Sequence, residues 1–255
     1  MTRVAVLSDI HGNVDALDAV LVEVDVARPD RIVICGDVAA GPFPGETLAR
    51  VQALPGAVFV SGNGDRMMVE AFDAGLREDE AADDAAASLA WATGRLGRAE
   101  RDYLASFAPT VRLDCGTFGV VRFCHGSPRS DEEIITSLTP EPVLATFLAE
   151  VEEEIVVSGH THVQFDRRAV GRRLLNPGSV GMPYEVRPGA FWLLLHGTTA
   201  EFRCTLYDVA AAAARIRACG YPEGDNLGDI LLAPPAAAEA EQFFEQVAAE
   251  RGERT

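Results

Sequence analysis

Four of the five histidines in this 255-residue chain sit in three short segments with other ligand-type side chains. These are Ser8-Asp9-Ile10-His11-Gly12-Asn13, His125-Gly126-Ser127-Pro128 and Ser158-Gly159-His160-Thr161-His162. Gly36-Asp37 and Gly62-Asn63-Gly64-Asp65 fall between the first and the second. Imidazole is the usual ligand for borderline divalent metals, and bare carboxylates bridge such ions. Asp9, His11, Asp37, Asn63, His125, His160 and His162 therefore form a candidate ligand set for two ions. Asp9 and His11 are two residues apart, as are His160 and His162. In extended chain that spacing puts both side chains on one side. The two oxygens of Asp37 suit a bridging place. Glycine at 12, 36, 62 and 159 would let backbone approach the ions and leave the strands sharply.

Each segment follows an apolar run. Arg3 to Ser8, Arg31 to Cys35 and Ala57 to Ser61 read as strands, and Val14 to Ala27 has helical spacing at Leu17, Val20, Leu21 and Val24. A short helix starts near Glu46. The rhythm is βαβαβ, a parallel sheet with helical crossovers, whose strand ends form a ligand crevice. Residues 66–108 are Ala-rich and charged and read as two or three helices, with Trp91 and Leu96 facing inward. Thr110 to Leu113 and Phe118 to Cys124 read as a hairpin about Asp114-Cys115-Gly116. A helix over Glu141 to Val151 and a strand over Glu154 to Ser158 follow. Val163 to Arg168, Arg172 to Leu175, Ala190 to His196 and Glu201 to Tyr207 read as an antiparallel sheet, and the tail from Asp208 as helix. Without an internal repeat or linker, the expectation is one domain over 1–255.

The net charge of −17 works against general nucleic-acid or anionic-membrane binding. No apolar stretch approaches the ~18 residues of a membrane span. The first residues lack the apolar core and cleavage site of a secretory signal. Five cysteines without a Cys-x-x-Cys pair suit free, mostly buried thiols in a reducing cytoplasm.

Asp-x-His, Gly-Asp, Gly-Asn-x-Asp, His and Gly-His-x-His, in that order, resemble the calcineurin-like metallophosphoesterases. The details of Ser8-Asp9-Ile10-His11-Gly12-Asn13 and His125-Gly126-Ser127-Pro128, together with Asn176-Pro177-Gly178-Ser179-Val180-Gly181, resemble the small prokaryotic phosphodiesterase branch. The resemblance covers residues 3 to about 207. It implies an α/β fold, a four-layer αββα sandwich of two mixed sheets flanked by helices. It implies that Asp9, His11 and His162 bind one divalent ion, that Asn63, His125 and His160 bind the other, and that Asp37 bridges. A hydroxide between the ions would attack phosphorus in line with the leaving oxygen. Manganese is the expected ion, with Fe, Zn, Co or Ni also suited to this ligand mix. The implied substrate is a small phosphodiester; a phosphomonoester and a dinucleoside polyphosphate are rivals within the same chemistry. A non-catalytic protein-binding scaffold of the same fold is the rival of another class, but such a chain should have lost ligands.

One position departs from the pattern. Many members have histidine after the asparagine, where it protonates the leaving group or binds phosphate; here Gly64 stands there. Without that acid, poor leaving groups should suffer by a factor of about 10²–10⁴. Asp65 is read as a neighbour that supports the ligands. Arg66 and Arg129 are either solvated charges or substrate contacts, and Asn13 either caps its helix or meets phosphate. His196 is read as a buried structural histidine.

Overall fold

The computed structural model describes residues 2–254. Among them, two five-stranded sheets face each other. In the first, β1 (Arg3–Leu7), β2 (Arg31–Cys35) and β3 (Val58–Val60) run parallel. The second has β4 (Val111–Asp114), β5 (Val120–Phe123), β6 (Ile155–Val157), β7 (Gln164–Ala169) and β8 (Arg172–Pro177). Its spatial order is β4-β5-β6-β8-β7, with β5, β6 and β8 parallel and an antiparallel strand at each edge. β9 (Ala190–His196) and β10 (Thr199–Thr205) return to the first sheet, giving β10-β9-β1-β2-β3.

This corrects the expectation that the last four strands make one antiparallel sheet. β7 and β8 belong to the second sheet, while β9 pairs antiparallel with β1. The reason lies in the sequence of β9. Its first six residues are all buried, a continuous apolar run suited to a central strand covered on both faces. Leu193 and Leu195 join the layer between the sheets, and Trp192 and Leu194 face the helices. β1 and β2 divide in the same way. Val4, Val6, Val33 and Cys35 meet Val121, Phe123, Val157 and Leu175 of the opposite sheet, whereas Ala5, Leu7 and Ile34 pack outward.

Helices complete the outer layers. α1 (Val14–Ala27), α2 (Pro44–Gln52), α3 (Asn63–Ala74), α4 (Asp84–Thr93) and α5 (Arg98–Leu104) contribute to the layer over the first sheet, through residues such as Leu17, Leu48, Met68, Ala92 and Leu104. α6 (Glu141–Phe147) covers the second sheet through Val143, Leu144 and Phe147. α7 (Val209–Ala218), α8 (Gly224–Leu232) and α9 (Ala237–Glu250) follow β10. α7 and α8 pack on each other about Ile216, Leu227 and Leu231. α9 is held to the loop before α6 by its acids. Glu241 accepts the Ser137 N–H at 2.8 Å, and Glu245 accepts the hydroxyls of Thr136 at 2.6 Å and Thr139 at 2.8 Å.

Leu96 packs on the core as expected, but Trp91 does not point inward. It is half-buried, beneath the Arg95 guanidinium and edge-on to Tyr221. All five cysteines are free thiols, with Cys35, Cys115 and Cys124 buried. Among the described residues no helix is long and apolar enough to cross a membrane.

Candidate metal centre

The loops after β1, β2, β5 and β6, with the start of α3 after β3, bring the seven predicted ligand residues to one place. Asp9, His11 and His162 offer ligand atoms within 4.8 Å of one another, and so do Asp9, Asp37 and His125. Asn63 joins the second group, its Oδ1 lying 3.0 Å from His125 Nε2. His160 is at its edge, with its ring centroid 5.0 Å from that of His125.

The backbone route to this convergence is not the extended one. Among the described residues seven non-glycines have positive φ, and five of them are Asp9, His11, Asp37, His160 and His162. Each ligand pair therefore converges through left-handed turns beyond the strand end, not through the two-residue period of a strand. Such φ values cost about 1–2 kcal/mol for an ordinary residue and persist where the surroundings enforce them. Here the enforcement is visible. The N–H of His11 donates to the Asp37 carbonyl at 2.9 Å, and that of Asp9 to the Gly36 carbonyl at 3.0 Å. Asp65, fully buried, accepts the N–H groups of Asp37, Val38 and Gly62 at 2.9, 2.9 and 3.0 Å.

Glycine is required at two of these turns by close approach. A Cβ at position 159 would lie 2.1 Å from Ser8 Oγ and 2.8 Å from Asp9 Oδ2. One at position 62 would lie 2.2 Å from Asp37 Oδ1. Gly64 is tight as well. Its N–H donates to Asp37 Oδ1 at 2.7 Å, and a Cβ would come within 2.9 Å of that oxygen and 3.0 Å of Ala40 Cβ.

Hydrogen bonding orients three of the four histidines inward. Nδ1 of His11, His125 and His162 faces the carbonyls of Ala40, Cys35 and Met182 at 3.2, 2.7 and 2.7 Å. Each ring donates its Nδ1–H there, which directs Nε2 at the centre, the usual support of a metal-binding histidine. His11 Nε2 and His162 Nε2 then stand 3.1 Å apart. Each carboxylate has one oxygen held by the protein and one directed at histidines. Asp9 Oδ2 accepts from Ser8 Oγ at 2.5 Å and from the His160 N–H at 3.1 Å. Asp9 Oδ1 is buried without a hydrogen-bond partner, 3.2 Å from His162 Nε2. Asp37 Oδ2 lies 3.7 Å from His11 Nε2 and 3.5 Å from His125 Nε2, between the two groups. Converging imidazole nitrogens and an orphaned buried carboxylate oxygen fit divalent cations.

The electrostatics agree. Burial alone would raise Asp37, but His125, His11 and His160 hold it well below the usual carboxylate range. Burial also opposes ionisation of Asp9, and His162 and His125 reverse that. Burial lowers His125, yet Asp37 and Asp9 push it up to about 10. Without cations, then, His125 carries the proton that balances the carboxylates. Burial pushes His160 down to about 3, with the charge of His125 adding to it, and burial also lowers His11. Asp65 is pushed up to about 7, first by burial and then by the charge of Asp37.

The remaining predicted residues lie outside this cluster. Asn13 is a buried N-cap, accepting the Ala16 N–H at 3.2 Å and donating to the Gly181 carbonyl at 3.0 Å. Arg66 is engaged by Asp131 at 2.7 Å and by Glu70 and Glu132. Arg129 is engaged by Glu133 at 2.6 Å. Both arginines line a cavity of about 560 Å³ with Ser127 and Phe107. His196 is not buried; it lies at the end of β9 with Nε2 3.2 Å from Glu201, because the last residue of that strand leaves the core.

Several contributors had no role assigned from the sequence. Asn176 donates to the Gly159 carbonyl at 2.7 Å, and Ser179 Oγ donates to the Asp9 carbonyl at 2.7 Å, so the Asn-Pro-Gly-Ser turn braces both histidine loops. Tyr184 stacks on His162 with ring centroids 4.9 Å apart. Phe244 of α9 approaches His160 at 6.3 Å and Tyr184 at 6.1 Å.

The family model described as the calcineurin-like phosphoesterase superfamily domain matches residues 2–200. An uncharacterized protein of Methanocaldococcus jannaschii is 27% identical over 202 residues, 71% of this chain and 77% of that protein. The crystal structure of a metallophosphoesterase from Sphaerobacter thermophilus superposes with a TM-score of 0.75 at 29% identity, over 91% of this chain and 99% of that one. A hypothetical protein from Pyrococcus horikoshii shares the fold, with a TM-score of 0.78 at 22% identity over 93% of this chain and all of that one.

Proposed function

This chain belongs to the calcineurin-like phosphoesterase superfamily, a family of hydrolases of phosphoester bonds, and from that premise we propose that it cleaves a phosphodiester with two divalent ions. Asp9, His11 and His162 would hold one ion, Asn63, His125 and His160 the other, and Asp37 would span them. Bound there, the ions would polarise the phosphoryl oxygens and lower the pKa of a water near phosphorus. The chain's own part is to aim the ligand atoms, through the backbone carbonyls of Ala40, Cys35 and Met182 and through Asp65. The observation that carries this reading is the buried, unpartnered Asp9 Oδ1 facing a ring of inward-directed imidazole nitrogens.

A diester is favoured over a monoester by charge. Arg66 and Arg129 are each neutralised by carboxylates, so a phosphoryl group would meet no free guanidinium from either. A monoanionic diester needs less compensation than a monoester dianion. Gly64 supplies no side-chain acid, so leaving groups that depart unprotonated, such as aryl oxides, should react best. Manganese is the ion expected to support turnover. The scaffold reading is disfavoured because all seven ligands are kept and directed inward.

The test is hydrolysis of bis(p-nitrophenyl) phosphate by the metal-depleted chain with manganese added back, beside p-nitrophenyl phosphate. The diester should be the better substrate, a chelator should stop turnover, and Asp37→Asn should abolish it. If no ester turns over with Mn, Fe, Zn, Co or Ni although two ions are bound, the chain is a scaffold.

A further inference from the structure

Part of the wall beside His11 comes from α8, through Asn226, Leu227 and Ile230, and α8 lies beyond the residues the family model matches. A cavity of about 290 Å³ opens beside His11, Ala40 and Met182 and is lined by Tyr184, Tyr221, Glu223 and Asn226. A second cavity of about 410 Å³ shares Tyr184, Asn226 and Ile230 with it and ends at Phe244 of α9. Adjoining spaces of this size are in the range that holds a small ligand.

The chemistry of the lining is specific. Tyr184 stacks on His162, so an aromatic face borders the ligands themselves. The side chains of Tyr184, Glu223 and Asn226 make no hydrogen bond to the described residues, although they line the cavity beside the ions' place. Neither cavity has an arginine or lysine among its lining residues, whereas Glu223 and Glu239 both face the space. A second phosphate would therefore meet carboxylates and no cation. A planar, uncharged group carrying hydrogen-bond donors would meet an aromatic face, an amide and a carboxylate acceptor.

We propose that this pocket receives the uncharged ester group of the substrate, a nucleoside-like group. Its ring lies against Tyr184 and its donors meet Glu223 and Asn226, and the carboxylates turn away esters that carry a second phosphate. The proposal rests on the phosphoesterase reading above and narrows the substrate to mononucleotide diesters. A plain aryl ester uses Tyr184 alone.

The experiment compares kcat/KM of the manganese-loaded full chain for diesters with one leaving group, p-nitrophenol. The other ester group is thymidine (through its 5′ oxygen), phenyl or methyl. The nucleoside ester should exceed the methyl ester by about 10-fold or more, with the phenyl ester between them. In the double variant Asn226→Ala, Glu223→Gln, the thymidine-to-phenyl ratio should fall about 10-fold, and thymidine 5′-monophosphate should bind about 10-fold more weakly by calorimetry. Glu223→Lys should raise the rate on a dinucleoside polyphosphate relative to the thymidine ester by about 10-fold. Metal content measured in each variant separates pocket effects from loss of ions. Equal kcat/KM for the three esters, or ratios and binding unchanged in both variants, would overturn the pocket assignment and leave the hydrolase standing. Absence of turnover for all three esters in the wild-type chain with two ions bound would overturn both.

Discussion

Removing the carboxylate of Asp65 tests how the strained turn at Asp37 is held. Asp65 is fully buried and accepts three backbone N–H groups, from Asp37, Val38 and Gly62. In Asp65→Ala these three donors lose their partner at the point where Asp37 has a φ of 52°. Each buried, unsatisfied donor costs about 1–3 kcal/mol, so three cost roughly 3–9 kcal/mol. Two effects offset part of this. Removing Asp65 relieves its repulsion with Asp37, the repulsion that helps push Asp65 up to about 7, and water entering the vacated space can satisfy a donor. A net loss of about 3 kcal/mol follows. For a chain of this length about 2–4 °C of Tm goes with each kcal/mol, so the metal-free variant should melt roughly 6–12 °C lower. Asp65→Asn keeps one acceptor oxygen and should fall between the variant and the wild type. The assay is thermal unfolding by calorimetry in excess chelator. A Tm for Asp65→Ala within about 2 °C of wild type would refute the claim that this side chain holds the turn.

Two further outcomes follow from the same geometry. Gly159→Ala would place a Cβ 2.8 Å from Asp9 Oδ2 and 2.1 Å from Ser8 Oγ. It should lower stability by about 1–3 kcal/mol and manganese affinity at least about 10-fold, and wild-type affinity by metal titration would contradict the close-approach argument. The pH dependence of metal binding has a definite sign. Asp37 and Asp9 push His125 up to about 10, so in the metal-free protein it is protonated at neutral pH, and an ion must displace that proton. Binding at pH 7–8 should release about one proton, and affinity should fall as pH falls. Calorimetry in buffers of different ionisation heat measures this, and binding without proton release would show that His125 is already neutral.

The seven candidate ligands were legible because their side-chain types are rare in that combination and each follows an apolar run. Their backbone was not. The two-residue spacing of Asp9 with His11, and of His160 with His162, suits extended chain, yet the structure uses left-handed turns. Aspartate and histidine tolerate that region better than branched residues do, but nothing in the spacing distinguishes the two routes. The strands were found, and the sheet partner of β9 was not, because pairing depends on which neighbour buries both its faces. The unbroken apolar run Ala190 to Leu195 was the available sign. The segment holding Asn176 and Ser179 entered only as part of the resemblance, without a role, because hydrogen bonds to loops 17 and 170 positions away leave no local pattern. Arg66 and Arg129 could not be judged from sequence, since the carboxylates that engage them decide their role. The wall formed by Tyr184, Asn226 and Phe244 is assembled from distant segments and carries no motif.

The proposed chemistry depends on two ions held with Asp37 between them. Anomalous scattering from crystals grown with saturating manganese measures it most directly. The account predicts two peaks, one among Asp9, His11 and His162, the other among Asn63, His125 and His160, both in ligand contact with Asp37. A single peak under those conditions, or two peaks of which either lies out of contact with Asp37, would contradict it.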